Sequence, residues 1–340
     1  MINHTVPEHP ALVNNRVLSA EQIMELYKRM LTIRRSEERI AKRVTEKKIT
    51  TPCHLYIGQE AVAVGVCYAL KNTDYVFSTH RSHGHYLAKG GDIYGLFGEV
   101  YCRENGCSGG RGGSMHLCDP SKGLLGSSSI VGGCLGIGIG PALKSKVLGR
   151  DEVSVIFHGD CVPEEGIWHE SLNFAAINKL PVIYICENNL YAASMPLDER
   201  RVYDNISEEA RENGLATTIV DGNDVFAIYD ATLSAVEKAR KGAGPQLVEC
   251  RTYRWLGHVG PRDDIDVGLR SQEELDWWKE RCPIKSLGEY IKTNKYICDL
   301  QQIEDNVCVL VNDAESRAVA TPKPSPDTVL NHVYKEVSTI

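Results

Sequence analysis

The strongest constraint on how this chain can fold lies between residues 153 and 253. There, short continuous apolar runs alternate with amphipathic segments: VSVIF (153–157), PVIYI (181–185), LATTIV (215–220) and QLVECRTY (246–253). Helices are predicted over about 165–178 and 224–240, the first marked by Trp168, Leu172, Ala175 and Ala176 at helical spacing. Strands apolar on both sides belong in a mostly parallel sheet with helices on both faces, which makes the fold class α/β. A right-handed strand–helix–strand crossover delivers the loops after both strands to the same sheet edge. His158-Gly159-Asp160 follows the first run and Cys186-Glu187-Asn188-Asn189 the second, so Asp160 and Asn189 are expected to converge. A carboxylate and an amide oxygen form a hard donor pair suited to Mg²⁺ or Ca²⁺ rather than zinc. Magnesium commonly completes its shell with phosphate oxygens and water, so a diphosphate-bearing molecule is expected at this edge. The alternative reading of the same residues is an Asx turn and a helix N-cap.

Upstream, residues 20–48 place Ile23, Leu26, Tyr27, Met30, Leu31 and Ile33 at helical spacing, and QEAVAVGVCYAL (59–70) reads as a buried helix. The polar turn TPCHLYIG separates them. Residues 106–140 are the glycine-richest stretch, with GCSGGRGGSMHL followed by GSSSIVGGCLGIGIG. Backbone must approach something closely there, in tight packing or around a ligand, yet the spacing matches neither a dinucleotide fingerprint nor a P-loop. After about residue 320, ATPKPSPDT reads as a proline-rich linker or surface strap.

With 340 residues, 42% of them hydrophobic, the chain can bury a substantial core. A formal net charge of −7 and the absence of any clustered Lys/Arg segment exclude a nucleic-acid role. No targeting segment and no membrane-length apolar run is evident, and twelve cysteines without a C-x-x-C pair fit buried thiols in a reducing compartment. A cytoplasmic location is the expectation. His80, His83 and His85 stand close together but have no cysteine or histidine partner at a recognised zinc spacing, so zinc is not indicated by that block.

The run GDCVPEEGIWHESLNFAAINKLPVIYICENNLY resembles the thiamine-diphosphate motif in the α subunits of 2-oxo acid dehydrogenase decarboxylase components, the pyruvate and acetoin dehydrogenase group. CHLYIGQEAVAVGV (53–66), HRSHGHYLAKG (80–90), GCSGGRGGSMHL (106–117), IVGG (130–133) and TYRWLGH (252–258) resemble that family's other blocks in the same order. The resemblance implies a thiamine-diphosphate-binding fold, with a helical arm over 1–50, a diphosphate-type domain over 51–320 and a tail over 321–340. It implies that Asp160 and Asn189 hold Mg²⁺ together with the backbone carbonyl of Tyr191. It further implies that Arg81 holds the cofactor's diphosphate with the backbone at Cys161 close to it, that His80 and Val162 also belong to the cofactor site, that Ser129 and Val131 meet its aminopyrimidine, and that His258 approaches from a mobile loop. His54 matches a substrate-side histidine, which makes His54 and His258 the expected catalytic pair. A separate β subunit in an α₂β₂ heterotetramer would supply the pyrimidine-binding half, leaving the isolated chain silent.

The implied reaction is decarboxylation of a small 2-oxo acid, or cleavage of acetoin, with the acyl unit passed to a lipoyl group on a partner acyltransferase. Transfer of a two-carbon unit to another acceptor such as a keto sugar, or a non-catalytic subunit that retains the fold, are the alternatives. Three departures from the family pattern bear on this. Cys161 stands where glycine is usual, which costs roughly 1–2 kcal/mol if the backbone there needs a positive φ. On that reasoning Cys161→Gly is expected to tighten cofactor binding. His80 replaces a tyrosine, and Ser127-Ser128-Ser129 replaces a glycine-containing turn. Val259-Gly260-Pro261 offers no hydroxyl where animal pyruvate dehydrogenases are phosphorylated. Downstream, Ser271-x-x-Glu274 is expected to cap a helix whose Trp277 and Trp278 pack against a neighbouring element or subunit rather than bind substrate.

Overall fold

The computed structural model describes residues 18–328, 330 and 331. The first 17 residues of the expected arm, and the tail from 332 on, lie outside the described residues. In chain order the helices are α1 (Ala20–Thr45), α2 (Glu60–Tyr68), α3 (His83–Ala88), α4 (Ile93–Val100), α5 (Leu135–Val147), α6 (Gly166–Ile177), α7 (Leu197–Arg200), α8 (Ile206–Glu212), α9 (Val225–Arg240), α10 (Gln272–Glu280), α11 (Pro283–Thr293) and α12 (Leu300–Ala320). The strands are β1 (Tyr75–Ser78), β2 (Leu124–Ser127), β3 (Ser154–Gly159), β4 (Val182–Asn188), β5 (Tyr191–Ala192), β6 (Met195–Pro196), β7 (Ala216–Asp221) and β8 (Gln246–Arg251).

Six strands form one parallel sheet in the order β2-β1-β3-β4-β8-β7, and β5 with β6 makes a small antiparallel pair. All four predicted strands are present. β1 and β2 extend the sheet on one side and carry no clear periodic signal, being four residues each. The two core clusters lie on opposite faces: Val155, Ile183 and Ile185 point toward α1, α2, α9 and α12, whereas Ile156, Val182 and Tyr184 point toward α5, α6 and α8. This alternation is the period of two expected of a strand buried on both sides.

Local chemistry sets the helix ends. Ser19 caps α1 in a reciprocal box with Gln22, and Asp224 and Asp299 accept first-turn N–H groups of α9 and α12. The helix α5 is the largest addition to the sequence reading, because LGIGIGPALKSKV carries three glycines and an internal Pro141. A Cβ at Gly138 would stand 2.6 Å from Ile156 Cδ1, so the missing side chain lets this helix lie against β3. Beyond α12, Pro322 O accepts from Glu104 N, and Thr328 accepts from Arg111, so the start of the tail straps across the glycine-rich loop.

Candidate active site

A cavity of about 320 Å³ opens at the carboxyl ends of β1, β3 and β4. Of the residues singled out in the sequence, His54, His80, Arg81, Ser129, Val131, Asp160, Cys161, Asn189, Tyr191 and His258 line it. Val162 does not: its side chain is buried in the core cluster with Trp168 and Leu172, because the 3₁₀ turn it begins points it inward.

Asp160 stands directly after β3 and is 2% exposed. The preceding Gly159 is open toward the cavity, since an added Cβ would meet nothing within 4 Å. Cys161 has φ −89°, an ordinary right-handed conformation, so the strain expected from replacing glycine is absent. Release of strain therefore offers no reason for Cys161→Gly to tighten binding. What remains is a thiol in the cavity wall, its pKa pushed up to about 11 by burial.

The second strand end is shaped by a turn of unusual backbone. Leu190 and Ala193 have φ of 70° and 52°, a left-handed conformation that costs energy for any residue with a Cβ. The turn is held by Asn189, whose Oδ1 accepts from Tyr191 N at 3.3 Å and whose Nδ2 donates to Gln59 Oε1 at 3.0 Å. Arg254 reaches the carbonyl of Ala193, and Tyr191 Oη donates to Glu274 at 2.7 Å. Glu274 also accepts from Tyr253 Oη at 3.0 Å, and Ser271 caps α10 as expected, with Trp278 buried and stacked on Tyr253. From α7, Arg200 donates to the Asp160 carboxylate, to the Asp160 carbonyl at 3.2 Å and to Glu164.

Three histidines meet on the opposite wall. The His54 ring lies 4.6 Å from His80 and 4.8 Å from His258, and His80 lies 5.1 Å from His258. Burial, reinforced by the Arg81 guanidinium, lowers their pKa values to about 3 for His54, 2 for His80 and 4 for His258. All three rings are therefore neutral at physiological pH. Arg81 is buried and donates to the Leu55 carbonyl at 2.6 Å and the His258 carbonyl at 3.3 Å, so one guanidinium ties together the loops that carry His54 and His258. Burial and the nearby Arg254 lower its pKa to about 9, which leaves it a cation at neutral pH.

The neighbouring histidines serve the scaffold. His83 bonds Glu37 at 3.0 Å and Ser114 Oγ at 2.8 Å, and His85 bonds Ser78 Oγ at 2.7 Å and Glu187 at 3.2 Å. Glu37 also accepts from Tyr56 N at 2.9 Å, and the buried pair Arg34–Glu60 closes at 2.6 Å beneath Trp255. These contacts fix the HLYIG loop that carries His54.

The glycine-rich block proves to surround a carboxylate of its own chain. Glu99, fully buried on α4, accepts from the backbone N–H of Ser108, Gly110, Gly112 and Gly113 at 2.8, 3.0, 2.7 and 3.0 Å. A Cβ at Gly106 would stand 2.3 Å from Glu99 Oε2, so glycine is required for the close approach.

Sequence reasoning missed Gln59, Glu187 and Arg254 in the cavity wall, and Arg200, which pairs with Asp160. The signal was present for Gln59 and Arg254, which lie inside the blocks containing His54 and His258. Arg200 had none, since it sits in the charged run DERR.

Comparison with known proteins supports one family across most of the chain. Residues 28–327 match the family model described as dehydrogenase E1 component. The α subunit of acetoin:2,6-dichlorophenolindophenol oxidoreductase from Bacillus subtilis (strain 168) is 37% identical over 317 residues, covering 93% of this chain and 95% of that one. The protein of the same name from Cupriavidus necator is 36% identical over 319 residues, with 93% and 95% covered. The pyruvate dehydrogenase E1 component α subunit of Rhizobium meliloti is 38% identical over 309 residues, covering 90% of this chain and 88% of that one.

Proposed function

The chain belongs to the dehydrogenase E1 component family, and on that premise we propose that it is the α subunit of a thiamine-diphosphate- and Mg²⁺-dependent enzyme acting on acetoin or a small 2-oxo acid. The observation that carries the reading is the convergence of Asp160, Asn189 and Tyr191 with His54, His80, Arg81 and His258 around one cavity at the sheet edge.

The residues present suit the groups the family implies. Asp160 and Asn189 supply oxygen donors, with the Tyr191 carbonyl as a third, which is the ligand chemistry Mg²⁺ prefers. The positive charge that a carboxylate 2% exposed demands is met here by Arg200, so metal binding would displace that guanidinium. The open face of Gly159 leaves room for a phosphate beside the strand end. Arg81 and Arg254 add positive charge to the cavity wall, and Ser129 and Val131 close its other side. Thiamine diphosphate, when bound, supplies the carbon nucleophile and the electron sink for breaking the bond to a carbonyl carbon.

The chain's own residues bind, orient and move protons. His54 and His258 are neutral imidazoles, each able to donate one hydrogen bond and accept another, which suits proton exchange at a substrate oxygen. Arg81 keeps the two in register through the Leu55 and His258 carbonyls. The half-exposed apolar faces of α5 and α6, with Ile137, Val147, Phe174 and Ile177 from 46% to 73% exposed, suit burial against a β subunit. α Subunits of these E1 enzymes pair with β subunits. An α₂β₂ assembly in the cytoplasm and a lipoyl acyltransferase as acceptor complete the proposal; no described helix is long and apolar enough to cross a membrane.

The test is coexpression with the β chain and assay of acetoin, pyruvate and longer 2-oxo acids with an artificial electron acceptor. Turnover should require both chains, thiamine diphosphate and Mg²⁺. Turnover by the rigorously purified α chain, or none with any of these substrates by a folded αβ assembly, would overturn the reading.

A further inference from the structure

We propose that Glu249, outside the cavity wall, is a positioning residue for the turn that carries Asn189 and Tyr191, an inference that rests on the proposed Mg²⁺ site. Glu249 is fully buried in β8, on the sheet face that α8 covers. Its Oε1 accepts from Asn188 Nδ2 at 2.8 Å and from Arg251 Nη2 at 2.9 Å, and its Oε2 accepts from Ser207 Oγ at 2.6 Å. Arg251 pairs in turn with Asp204. A buried carboxylate is costly unless it is paired and hydrogen-bonded, and here β4, β8 and α8 each supply a partner.

The consequence falls on the Asn188 side chain. A carboxylate only accepts, so it takes the NH₂ end of the amide and leaves the oxygen end for another donor. That donor is Leu190 N, 3.3 Å from Asn188 Oδ1, while the Asn188 carbonyl accepts from Thr252 N at 3.0 Å. The reversed amide would set an oxygen against Glu249 and an NH₂ against the Leu190 N–H. One carboxylate therefore fixes how the amide meets the start of the turn.

Leu190 is the residue that needs fixing. Its φ of 70° is costly for a residue with a Cβ and persists only where the surroundings over-determine it. It stands between Asn189 and Tyr191, so its backbone sets where the Asn189 side chain and the Tyr191 carbonyl lie relative to Asp160. Arg254 holds the far end of this turn at the Ala193 carbonyl, and Glu249 holds its start through Asn188. Partners that orient metal ligands in this way commonly contribute about ten- to a hundredfold to affinity.

Calorimetric titration of Mg²⁺ into the chelator-stripped αβ assembly, at saturating thiamine diphosphate, tests the proposal, with the melting temperature as control. Asn188→Ala and Glu249→Ala should each weaken Mg²⁺ binding roughly tenfold or more, and the double variant no further, because both remove one contact. Glu249→Gln can keep the three hydrogen bonds, with the Ser207 hydroxyl accepting from the new amide, and should stay within about twofold of the wild type. Ser207→Ala strips a donor from the same carboxylate on the side away from the turn; it should lower the melting temperature yet also stay within about twofold. Should Glu249→Ala fail to fold, the contrast between Asn188→Ala and Ser207→Ala decides. Unchanged Mg²⁺ affinity in folded Asn188→Ala, or an equal loss in Ser207→Ala, would overturn the positioning role alone. A wild type that binds no Mg²⁺ would overturn the proposed function, and the positioning role with it.

Discussion

The glycine-rich loop and the cavity at the ends of β3 and β4 both concentrate polar groups on buried backbone, but only the loop supplies every partner. Around Glu99, four backbone N–H groups meet one carboxylate that is itself fully buried. In the cavity, Asp160 is paired with an arginine from a four-residue helix, while His54 Nδ1 and Gln59 Nε2 are buried with no hydrogen-bond partner among the described residues. A polar cluster that closes on itself can serve as scaffold; one that opens on a cavity with groups unmatched can take a ligand. By that criterion the stretch that looks most like a ligand loop in the sequence is structural, and the less conspicuous strand ends form the site.

The largest effect should come from opening the closed cluster. Glu99→Ala leaves four part-buried N–H groups without their acceptor and should destabilise the chain by about 3–5 kcal/mol, measured by denaturant unfolding. A loss below about 1 kcal/mol would mean that water or the loop itself can satisfy those groups. In the cavity the sign should reverse for metal binding. Arg200→Gln removes the cation that competes for Asp160 and should raise Mg²⁺ affinity by about tenfold, equal to about 1.4 kcal/mol, by calorimetry. Weaker binding in that variant would assign Arg200 to shaping the site instead.

The most gradual effect is a pH dependence, spread over several pH units. Burial and the Arg81 charge hold the folded-state pKa values of the three cavity histidines at about 2 to 4, below the ordinary 6.5. The unfolded chain therefore takes up protons that the folded chain refuses. Stability is fully present above about pH 6.5 and is lost as the pH falls toward 4, by at most about 1.4 kcal/mol per pH unit for each ring. Melting temperatures across that window should fall, and His80→Tyr should flatten the fall. An unchanged slope in His80→Tyr would show that His80 titrates normally.

How much could be read beforehand follows from the physics of each part. The crossover unit was legible because β3, β4 and α6 announce themselves by unbroken apolar runs and a helical repeat, and their geometry alone places Asp160 and Asn189 on one edge. The resemblance to the dehydrogenase family added the histidines. Glu99 was not legible, since one carboxylate inside the apolar helix IYGLFGEV gives no sign that a loop folds over it. Nor was the Arg200–Asp160 pair, which depends on a left-handed turn at Leu190 and Ala193 that residue types without glycine do not foretell. The backbone at Cys161 likewise could not be inferred from the residue it replaces.

Calorimetric titration of thiamine diphosphate into the chelator-stripped αβ assembly, with and without Mg²⁺, tests the central claim most directly. The account predicts saturable binding that requires the ion and is abolished by Asp160→Ala with the fold intact. Binding of equal strength without Mg²⁺, or unchanged in Asp160→Ala, would contradict it.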